Sequence, residues 1–346
     1  MKRLLSLLTI FALIIPITLS GCNRDSNKSV SKSGFYFDTI ITITLYGTED
    51  QSLINSCFDI ASTYERMFSN NIENSDVSKI NQNAGKKYVE VNQETIYLLN
   101  KSIEYGKISD GSFDVTIGKL VDLWDISNLS KTTQNDENIA SENIIPPKDD
   151  INSILEHVDY SKIKIKDNKV KLMDSMAKID LGAIAKGYIA DKLKEYLMSQ
   201  GVSSGIISLG GNVLTIGNKT NGSDFSVGIQ KPFAEAGELY GTLKVTDKSV
   251  VTSGIYERYV KIDDKIYHHI LDSKTGYPCD NNLYSVTIIS DKSVDGDALS
   301  TLCFTLGLDK GLELIEKTPG IEAIFITNEM KSYCSSGIGD KIVFEE

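Results

Sequence analysis

The chain has no excess of basic residues. Its 346 residues include 36 Lys and Arg against 47 Asp and Glu, which gives a formal net charge of −11 at pH 7. Because contacts to phosphate backbones need a basic surface, this balance argues against a nucleic-acid partner. Solenoid repeats, coiled-coil heptads, collagen triplets and multiple hydrophobic spans are also missing. The length is that of one large globular domain or two smaller ones.

Metal-binding cysteine pairs are missing as well. The five cysteines follow no C-x-x-C pattern, and there are only three histidines in the chain. Two of these, His268 and His269, are adjacent, and either could serve as a general base or contact a phosphate. A metal pair formed with Asp272 is the weaker alternative. The sequence therefore points away from a cysteine-based metal site.

One long apolar run is present, at the N-terminus. Two basic residues precede it, and nearly every residue from 4 to 19 is apolar. The run is shorter than the ~20 residues of a spanning helix and matches the apolar region of a signal peptide. It ends in Leu-Ser-Gly-Cys, which resembles a bacterial lipobox, and polar residues follow Cys22. We therefore expect a lipoprotein signal peptide over 1–21, a diacylated Cys22 and a tether over 22–34.

Lipidation would set the location of the protein. Two acyl chains give lasting attachment where one would be marginal. The chain is thus expected at the cell membrane, lipid-anchored on its extracytoplasmic face. The alternative is an ordinary signal peptide followed by a chance cysteine.

Strands and helices alternate irregularly over residues 35–346. β-Branched and aromatic residues predict a strand over 35–46, and apolar residues at helical spacing predict helices over 51–67 and 93–108. Residues 127–150 are polar and predict a surface loop. Downstream the pattern predicts a hairpin over 162–173, a helix over 183–200, strands over 205–209, 212–216, 225–229, 239–245, 259–262 and 284–289, and helices over 294–305 and 308–318. This order favours an α+β fold with mixed, mostly antiparallel sheets and packed helices.

Polar residues gather at the start of the helix predicted over 183–200. Asp180 precedes its first turn, and Lys186 follows within two turns. Free backbone N–H groups and an ammonium group there would suit a phosphate or pyrophosphate. On spacing alone, a capping aspartate followed by a solvated lysine is the favoured explanation.

A second polar pair lies on a later predicted helix. Asp297 and Thr301 are four residues apart and share one face. A carboxylate and a hydroxyl are hard oxygen ligands of the kind that Mg²⁺ prefers. On spacing alone, an aspartate that caps the helix is again the favoured explanation.

Six blocks taken together, in this order, resemble the ApbE family, the FAD:protein FMN transferases. The blocks are Asp-Gly-Ser-Phe-Asp-Val-Thr-Ile-Gly from Asp110, Asp-Leu-Gly-Ala-Ile-Ala-Lys-Gly-Tyr from Asp180, Leu-Gly-Gly-Asn from Leu209, Thr-Ser-Gly-Ile-Tyr-Glu-Arg from Thr252, His-His-Ile-Leu-Asp-x-x-Thr-Gly-Tyr-Pro from His268 and Asp-Ala-Leu-Ser-Thr from Asp297. The resemblance extends from about Phe37 to Gly307. The chain departs from it at Phe37-Asp38, where Met-Gly is common, and at Lys119, where Pro is common.

The resemblance implies a fold and a reaction. The fold would be ApbE- or T-fold-like, with two closely joined subdomains. A Ser or Thr hydroxyl of an acceptor protein would attack the FMN phosphorus of FAD, AMP would leave, and FMN would remain joined through a phosphoester. The implied acceptor is a flavoprotein subunit of an exported or membrane redox complex.

The resemblance also implies site residues. Mg²⁺, or else Mn²⁺, would be held by Asp297, Thr301 and the main-chain carbonyl of Ala183. The implied flavin contacts are Phe37, Asn71, Ser112, Phe113, Asp114, Asp180, Lys186 and Leu271. His269 is the first candidate for activating the acceptor hydroxyl, because Leu271 is two residues on and shares its face in an extended chain. His268 is the second candidate.

Two other functions compete with transfer. With water as the nucleophile, the same site would split FAD into FMN and AMP, and Asn71 bears on that choice because it lies where the adenine end would be held. A flavin-binding lipoprotein without catalysis is the second alternative. A plain binder needs no metal, so the presence of Asp297, Thr301, Lys186 and Asp180 together argues against it.

Overall fold

The structure is a computed structural model that describes residues 28–133, 145–340 and 342–346. The strands in these ranges are β1 (Ser29–Tyr36), β2 (Thr39–Tyr46), β3 (Val89–Glu90), β4 (Ile163–Lys166), β5 (Lys169–Leu172), β6 (Gly205–Leu209), β7 (Asn212–Ile216), β8 (Phe225–Gln230), β9 (Leu239–Val245), β10 (Ser249–Gly254), β11 (Tyr259–Ile262), β12 (Lys265–His268), β13 (Leu283–Ser290), β14 (Glu322–Thr327), β15 (Ser332–Cys334) and β16 (Val343–Glu345). The helices are α1 (Gln51–Phe68), α2 (Asp76–Gln82), α3 (Gln93–Ile108), α4 (Gly118–Trp124), α5 (Ile126–Thr133), α6 (Lys148–Leu155), α7 (Ala185–Ser199), α8 (Ser293–Leu306) and α9 (Leu308–Glu316).

An eight-stranded sheet forms the middle layer of the fold. Its order is β1-β2-β6-β7-β10-β13-β14-β15, and every neighbouring pair is antiparallel. A three-stranded sheet, β16-β9-β8, packs on one face, and helices cover the other. Strand β14 explains why both faces are covered, since Ala323 and Phe325 point to the helices while Ile324 and Ile326 point to the small sheet. The expected α+β class with mostly antiparallel sheets is confirmed.

A smaller unit packs beside this three-layer body. Helices α4 to α6 and the β11–β12 hairpin enclose Trp124, which is almost fully buried. Its indole Nε1 donates to the carbonyl of Gly276 at 2.7 Å, and its ring stacks on Tyr267. This unit therefore holds the loop that follows β12 in place, next to the paired histidines.

The prediction of a single strand over 35–46 is wrong in one respect. The chain turns at Phe37 and Asp38, so that β1 and β2 form a hairpin in which Tyr36 faces Thr39. Both turn residues have positive φ, 52° and 55°, as a two-residue type I′ turn requires. Neither is glycine, and for that reason the sequence carried no turn signal.

Two predicted boundaries also move. The tether expected over 22–34 overlaps β1, which begins at Ser29, and thus the folded part starts before residue 35. The surface loop expected over 127–150 is helical at both ends, in α5 and in α6. In α5 the apolar residues Ile126 and Leu129 pack around Trp124, and this burial overrides the polar composition.

Some expectations fall outside the described part of the chain. These are the signal peptide over 1–21, the lipidated Cys22 and the middle of the predicted loop, residues 134–144. Within the described ranges, no helix combines the length and apolar character needed to cross a membrane.

Candidate active site

The site is built where α7 and α8 cross at closest approach. A Cβ added at Gly187 would lie 2.2 Å from the carbonyl oxygen of Ser293 and 2.7 Å from Cβ of Asp297. Only glycine therefore allows this contact. The Gly187 N–H donates to Asp297 Oδ2 at 2.8 Å, and the Asp297 side chain is buried. Asp297 lies in the second turn of α8, so it does not cap that helix.

Lys186 lies in the first turn of α7, one turn earlier than expected. Its Nζ donates to the carbonyl of Gly182 at 3.0 Å and lies 3.7 Å from Asp297 Oδ1. The helix-start N–H groups expected to be free are largely occupied, since those of Ile184 and Ala185 bond to Leu181 and that of Gly187 bonds to Asp297. A phosphate at this position would therefore depend on the Lys186 ammonium.

Thr301 lies one turn after Asp297 on α8. Its Oγ1 is 3.2 Å from Oγ of Ser253, and Ser253 Oγ is 2.8 Å from Oγ of Ser300. Ser253 belongs to β10, which packs against α8. The strand thus fixes the side of α8 that carries both predicted metal ligands.

The two histidines differ in their surroundings. His268 ends β12 and is buried, with Nε2 against the carbonyl of Cys279 at 2.9 Å and Nδ1 accepting the Ile270 N–H at 3.3 Å. His269 is partly exposed, and its Nδ1 lies 3.2 Å from the carbonyl of Arg258. A proton on Nδ1 satisfies that contact and leaves Nε2 of His269 as an acceptor.

The charge of Lys186 affects the pKa values of two other groups, His269 and Glu257. Burial, followed by the positive Arg258 and the neighbouring His268, lowers the pKa of His269 to about 3, and Lys186 adds to this effect. Desolvation raises the pKa of Glu257, whereas Arg258 and Lys186 oppose that rise. The ammonium group therefore lies next to Asp297 and acts on His269 and Glu257 through its charge, and His269 is a neutral imidazole at pH 7.

A sequence model of the ApbE family matches residues 37–325, most of the chain. The chain belongs to the ApbE family. The match spans the site described above, from the turn after β1 to the last long strand, β14.

Members of the ApbE family are similar to this chain in sequence and in fold. The FAD:protein FMN transferase of Klebsiella pneumoniae is 37% identical over 310 residues, which cover 90% of this chain and 93% of that protein. The FAD:protein FMN transferase of Treponema pallidum is 29% identical, with 91% and 89% covered. The crystal structure of the ApbE protein of Thermotoga maritima superposes with a TM-score of 0.78 at 29% identity, covering 89% of this chain and 97% of that one.

Three of the flavin contacts implied by the ApbE resemblance lie in one region. Asp180 Oδ1 accepts the Gly182 N–H at 2.7 Å, and its Oδ2 accepts from the side chain of Asn70 at 3.0 Å. Asp180 therefore does not cap α7. Asn71, next to Asn70, reaches Asp38 in the β1–β2 turn at 3.5 Å, and Phe37 precedes that aspartate.

The other implied contacts lie nearer β12. Ser112 is partly exposed, whereas Phe113 and Asp114 are buried. The Asp114 carboxylate accepts from the N–H and hydroxyl of Thr116 and from the Tyr160 N–H, so both its oxygens serve the protein interior. Leu271 is buried in the Trp124 unit. Ser273 Oγ donates to the carbonyl of Gly111, which connects the two segments.

Several site residues were not singled out by sequence reasoning. Ser253, Glu257 and Arg258 lie in a block that the sequence marked without assigning roles, and Asn70 is next to a marked residue. Their positions depend on contacts between segments far apart in the chain, such as Asn70 with Asp180. Spacing within one segment carries no signal of such contacts.

Proposed function

We propose that this protein transfers FMN from FAD to a Ser or Thr hydroxyl of an acceptor protein and releases AMP. The observation that carries the proposal is the contact of Lys186 with Asp297, one turn before Thr301, where α7 meets α8 in a chain of the ApbE family. Similar proteins named FAD:protein FMN transferase cover nine-tenths of the chain. The chain is thus proposed to be a flavin transferase.

The reaction breaks the phosphoanhydride bond of FAD and forms a phosphoester bond to the acceptor. The acceptor oxygen forms a bond to the FMN phosphorus, and the bond from that phosphorus to the bridging oxygen breaks. AMP leaves with the bridging oxygen. No oxidation or reduction of the flavin is involved. Because phosphoryl transfer depends on charge stabilisation and in-line positioning, the Lys186 ammonium fits a role on the pyrophosphate.

The donor set around α8 fits a Mg²⁺ ion, with Mn²⁺ as the alternative. Among the described residues no group of three or more His, Cys, Asp or Glu side chains could hold a metal. Mg²⁺ commonly uses one or two carboxylates together with substrate phosphates and water. Asp297, Thr301 and the carbonyl of Ala183 would hold it. A bound Mg²⁺ would supply Lewis-acid stabilisation of charge on the phosphate oxygens.

His269 is the residue proposed to take the acceptor hydroxyl proton, at Nε2. Its Nδ1 contact with the Arg258 carbonyl favours the tautomer that presents Nε2 as an acceptor. A low pKa keeps the ring neutral and able to accept a proton at pH 7, although it makes the ring a weak base. His268 is a poorer candidate because both of its ring nitrogens have partners inside the protein.

A fluorescence experiment tests the proposed function. The purified protein is mixed with FAD, Mg²⁺ and an acceptor protein that presents a threonine, and flavin fluorescence is recorded in a denaturing gel. Transfer gives a fluorescent acceptor band. Free FMN and AMP without such a band would instead make the protein an FAD pyrophosphatase. FAD that stays intact would make it a flavin binder.

The location of the protein is part of the proposal. Cys22 would be diacylated and hold the enzyme at the cell membrane, on the extracytoplasmic face, where exported or membrane redox subunits are available as acceptors. We expect Cys22→Ser to lose palmitate labelling and to leave an unprocessed precursor or soluble protein. Labelling that persists in this variant would contradict the assignment of Cys22 as the anchor.

A further inference from the structure

Helices α7 and α8 each lack a cap of their own. Neither Ile184, before α7, nor Lys292, before α8, accepts a backbone hydrogen bond with its side chain. Helix starts with unpaired N–H groups are normally stabilised by a polar side chain next to the helix. Here the stabilising groups come from the opposite helix.

The two helices exchange carboxylates. Asp297 of α8 accepts the N–H of Gly187 in the first turn of α7 at 2.8 Å. Asp191 of α7 accepts the N–H groups of Ser293 and Val294, the first two residues of α8, at 2.7 and 2.9 Å. Each carboxylate therefore lies at the positive end of the other helix dipole. We call these contacts the reciprocal caps.

The reciprocal caps define the register of the helix pair. Residue 187 pairs with 297, and 191 pairs with 293, so the helices are antiparallel and each step is four residues, about one turn. Thr301 lies one further turn along α8, and Ala183 lies in the turn that precedes α7. Along both segments the proposed metal ligands are therefore on the side of the Gly187–Asp297 contact that is away from Asp191.

We propose that Asp191 is a positioning residue for the divalent metal site, because it fixes α8 in register on α7 and so holds Asp297 and Thr301 opposite Ala183. This inference rests on the metal site in the proposed function. Asp191 touches neither the substrate nor the proposed ligands; it acts through the N-terminus of α8. The close contact at Gly187 makes the register sensitive, since the helices have no space in which to slide.

Asp191→Asn is designed to disturb the register of α8 on α7 without unfolding the protein. It keeps the shape of the side chain but removes the charge and one of the two acceptors for Ser293 and Val294. Burial raises the pKa of Asp191 to about 6, with the nearby Asp295 adding to the rise and the two N–H groups and Lys194 opposing it. The uncharged amide avoids that desolvation cost, so we expect the variant to fold.

Asp295→Asn is a matched control in the first turn of α8. Asp295 binds Tyr105 Oη at 2.6 Å and Lys101 Nζ at 3.2 Å, and both partners belong to α3. Its replacement also removes a carboxylate from the start of α8, but it leaves the contact with α7 intact. A general destabilisation of α8 would weaken metal binding in both variants. A loss of the register between α8 and α7 would weaken it only in Asp191→Asn.

The test measures Mn²⁺ binding to the full chain. The electron paramagnetic resonance signal of free Mn²⁺ reports how much of the metal is bound, and it is recorded with and without FAD. We expect Asp191→Asn to weaken Mn²⁺ binding on the order of tenfold, as substitutions of residues that orient metal ligands do. FAD affinity should be unchanged. Asp295→Asn should bind as the wild type does. If thermal unfolding shows that Asp191→Asn is not folded, Asp191→Glu replaces it, with a smaller expected loss because the charge is kept.

The outcomes are distinct. Equal Mn²⁺ affinity in the wild type and Asp191→Asn would overturn the positioning role, as would an equal loss in both variants. A wild type that binds no Mn²⁺ would overturn the metal site together with this inference. Covalent flavin on the acceptor would still appear in the gel in that case, so the transferase proposal would be left standing by itself.

Discussion

Two adjacent histidines near the proposed phosphate site differ in their hydrogen-bond partners. His268 packs edge-on against Phe304, and both of its nitrogens are in contact with main-chain groups. Burial lowers its pKa to about 4. His269 follows the end of β12, is partly exposed, and has one nitrogen against the Arg258 carbonyl. His268, the last residue of the strand, is therefore a packing residue, and His269, which follows the strand, is the candidate base.

The first prediction compares these two residues. His269→Ala should lose about 10²- to 10⁴-fold in the rate of single-turnover flavinylation, the range for a general base, with FAD affinity little changed. His268→Ala should be milder in rate but less stable, since it removes buried hydrogen bonds. Rates are measured beside FAD binding by fluorescence quenching. A slower His268 variant would reverse the assignment, and near-wild-type rates in both would remove histidine from the mechanism.

The second prediction concerns Asp297. Asp297→Asn can still accept the Gly187 N–H, so we expect a folded protein that has lost metal binding and most of its transfer activity. Asp297→Ala should lose activity equally and also about 1–3 kcal/mol of unfolding free energy, because a buried N–H loses its partner. Urea denaturation measures the difference in stability between the two. Full activity in either variant, or of the wild type in excess EDTA, would refute the metal assignment.

At the scale of elements, long periodic segments could be predicted and short ones could not. The spacing of apolar residues identified α1 and α3 because each has a face packed in the core. The β1–β2 turn was missed since Phe37 and Asp38 adopt positive φ without glycine. Helix α2 has seven residues and was not predicted, because a segment of two turns shows too little periodicity.

The third prediction tests the contact between α7 and α8. Gly187→Ala places a methyl group 2.2 Å from the Ser293 carbonyl oxygen, and this must push the helices apart. We expect a loss of about 1–3 kcal/mol in unfolding free energy, typical of overpacking, and weaker Mn²⁺ binding. Gly311→Ala in α9 is the control, since its methyl would meet Phe325 at 2.9 Å and the Cys303 carbonyl oxygen at 3.0 Å, a milder overlap that lies away from the site. Equal metal affinity in the two variants would show that the α7–α8 contact does not position the metal ligands.

At the scale of the whole molecule, the site joins segments that are distant in the chain. Asp191 and Ser293 are 102 residues apart, and Asn70 and Asp180 are 110 apart. Residue types and motif blocks could identify Lys186, Asp297 and Thr301 as candidates from sequence. The partners that orient them could not be predicted, because no local pattern records which helix start a distant carboxylate will cap.

The fourth prediction is the pH dependence of stability. His268 and His269 have lower pKa values when folded, about 4 and 3, than the ~6.5 of an unfolded histidine. Below pH 6.5 the unfolded chain therefore binds more protons, and stability rises with pH between 4 and 6.5. Asp191 acts in the opposite sense, since its folded pKa of about 6 is raised from 3.8. The raised pKa values of Asp114 and Glu257 act in the same sense as that of Asp191, so the histidines supply a positive part of the slope and these carboxylates a negative part.

Asp191→Asn removes one of the opposing groups and should make the slope of stability against pH more positive than in the wild type. Urea denaturation of the wild type and the variant at pH 4.5 and pH 6.5 measures it. The prediction is a larger gain in unfolding free energy for the variant over this interval. A smaller gain than in the wild type would mean that Asp191 does not titrate as described.

Flavin transfer is tested most directly by a time course that measures AMP and protein-bound FMN in the same reaction. FAD, Mg²⁺ and a threonine-bearing acceptor are mixed with the enzyme, and both products are followed under single-turnover conditions. Transfer of FMN to the acceptor predicts equal amounts of AMP and covalent FMN at every time point, with no free FMN. AMP that accumulates with free FMN while the acceptor stays unlabelled would contradict it.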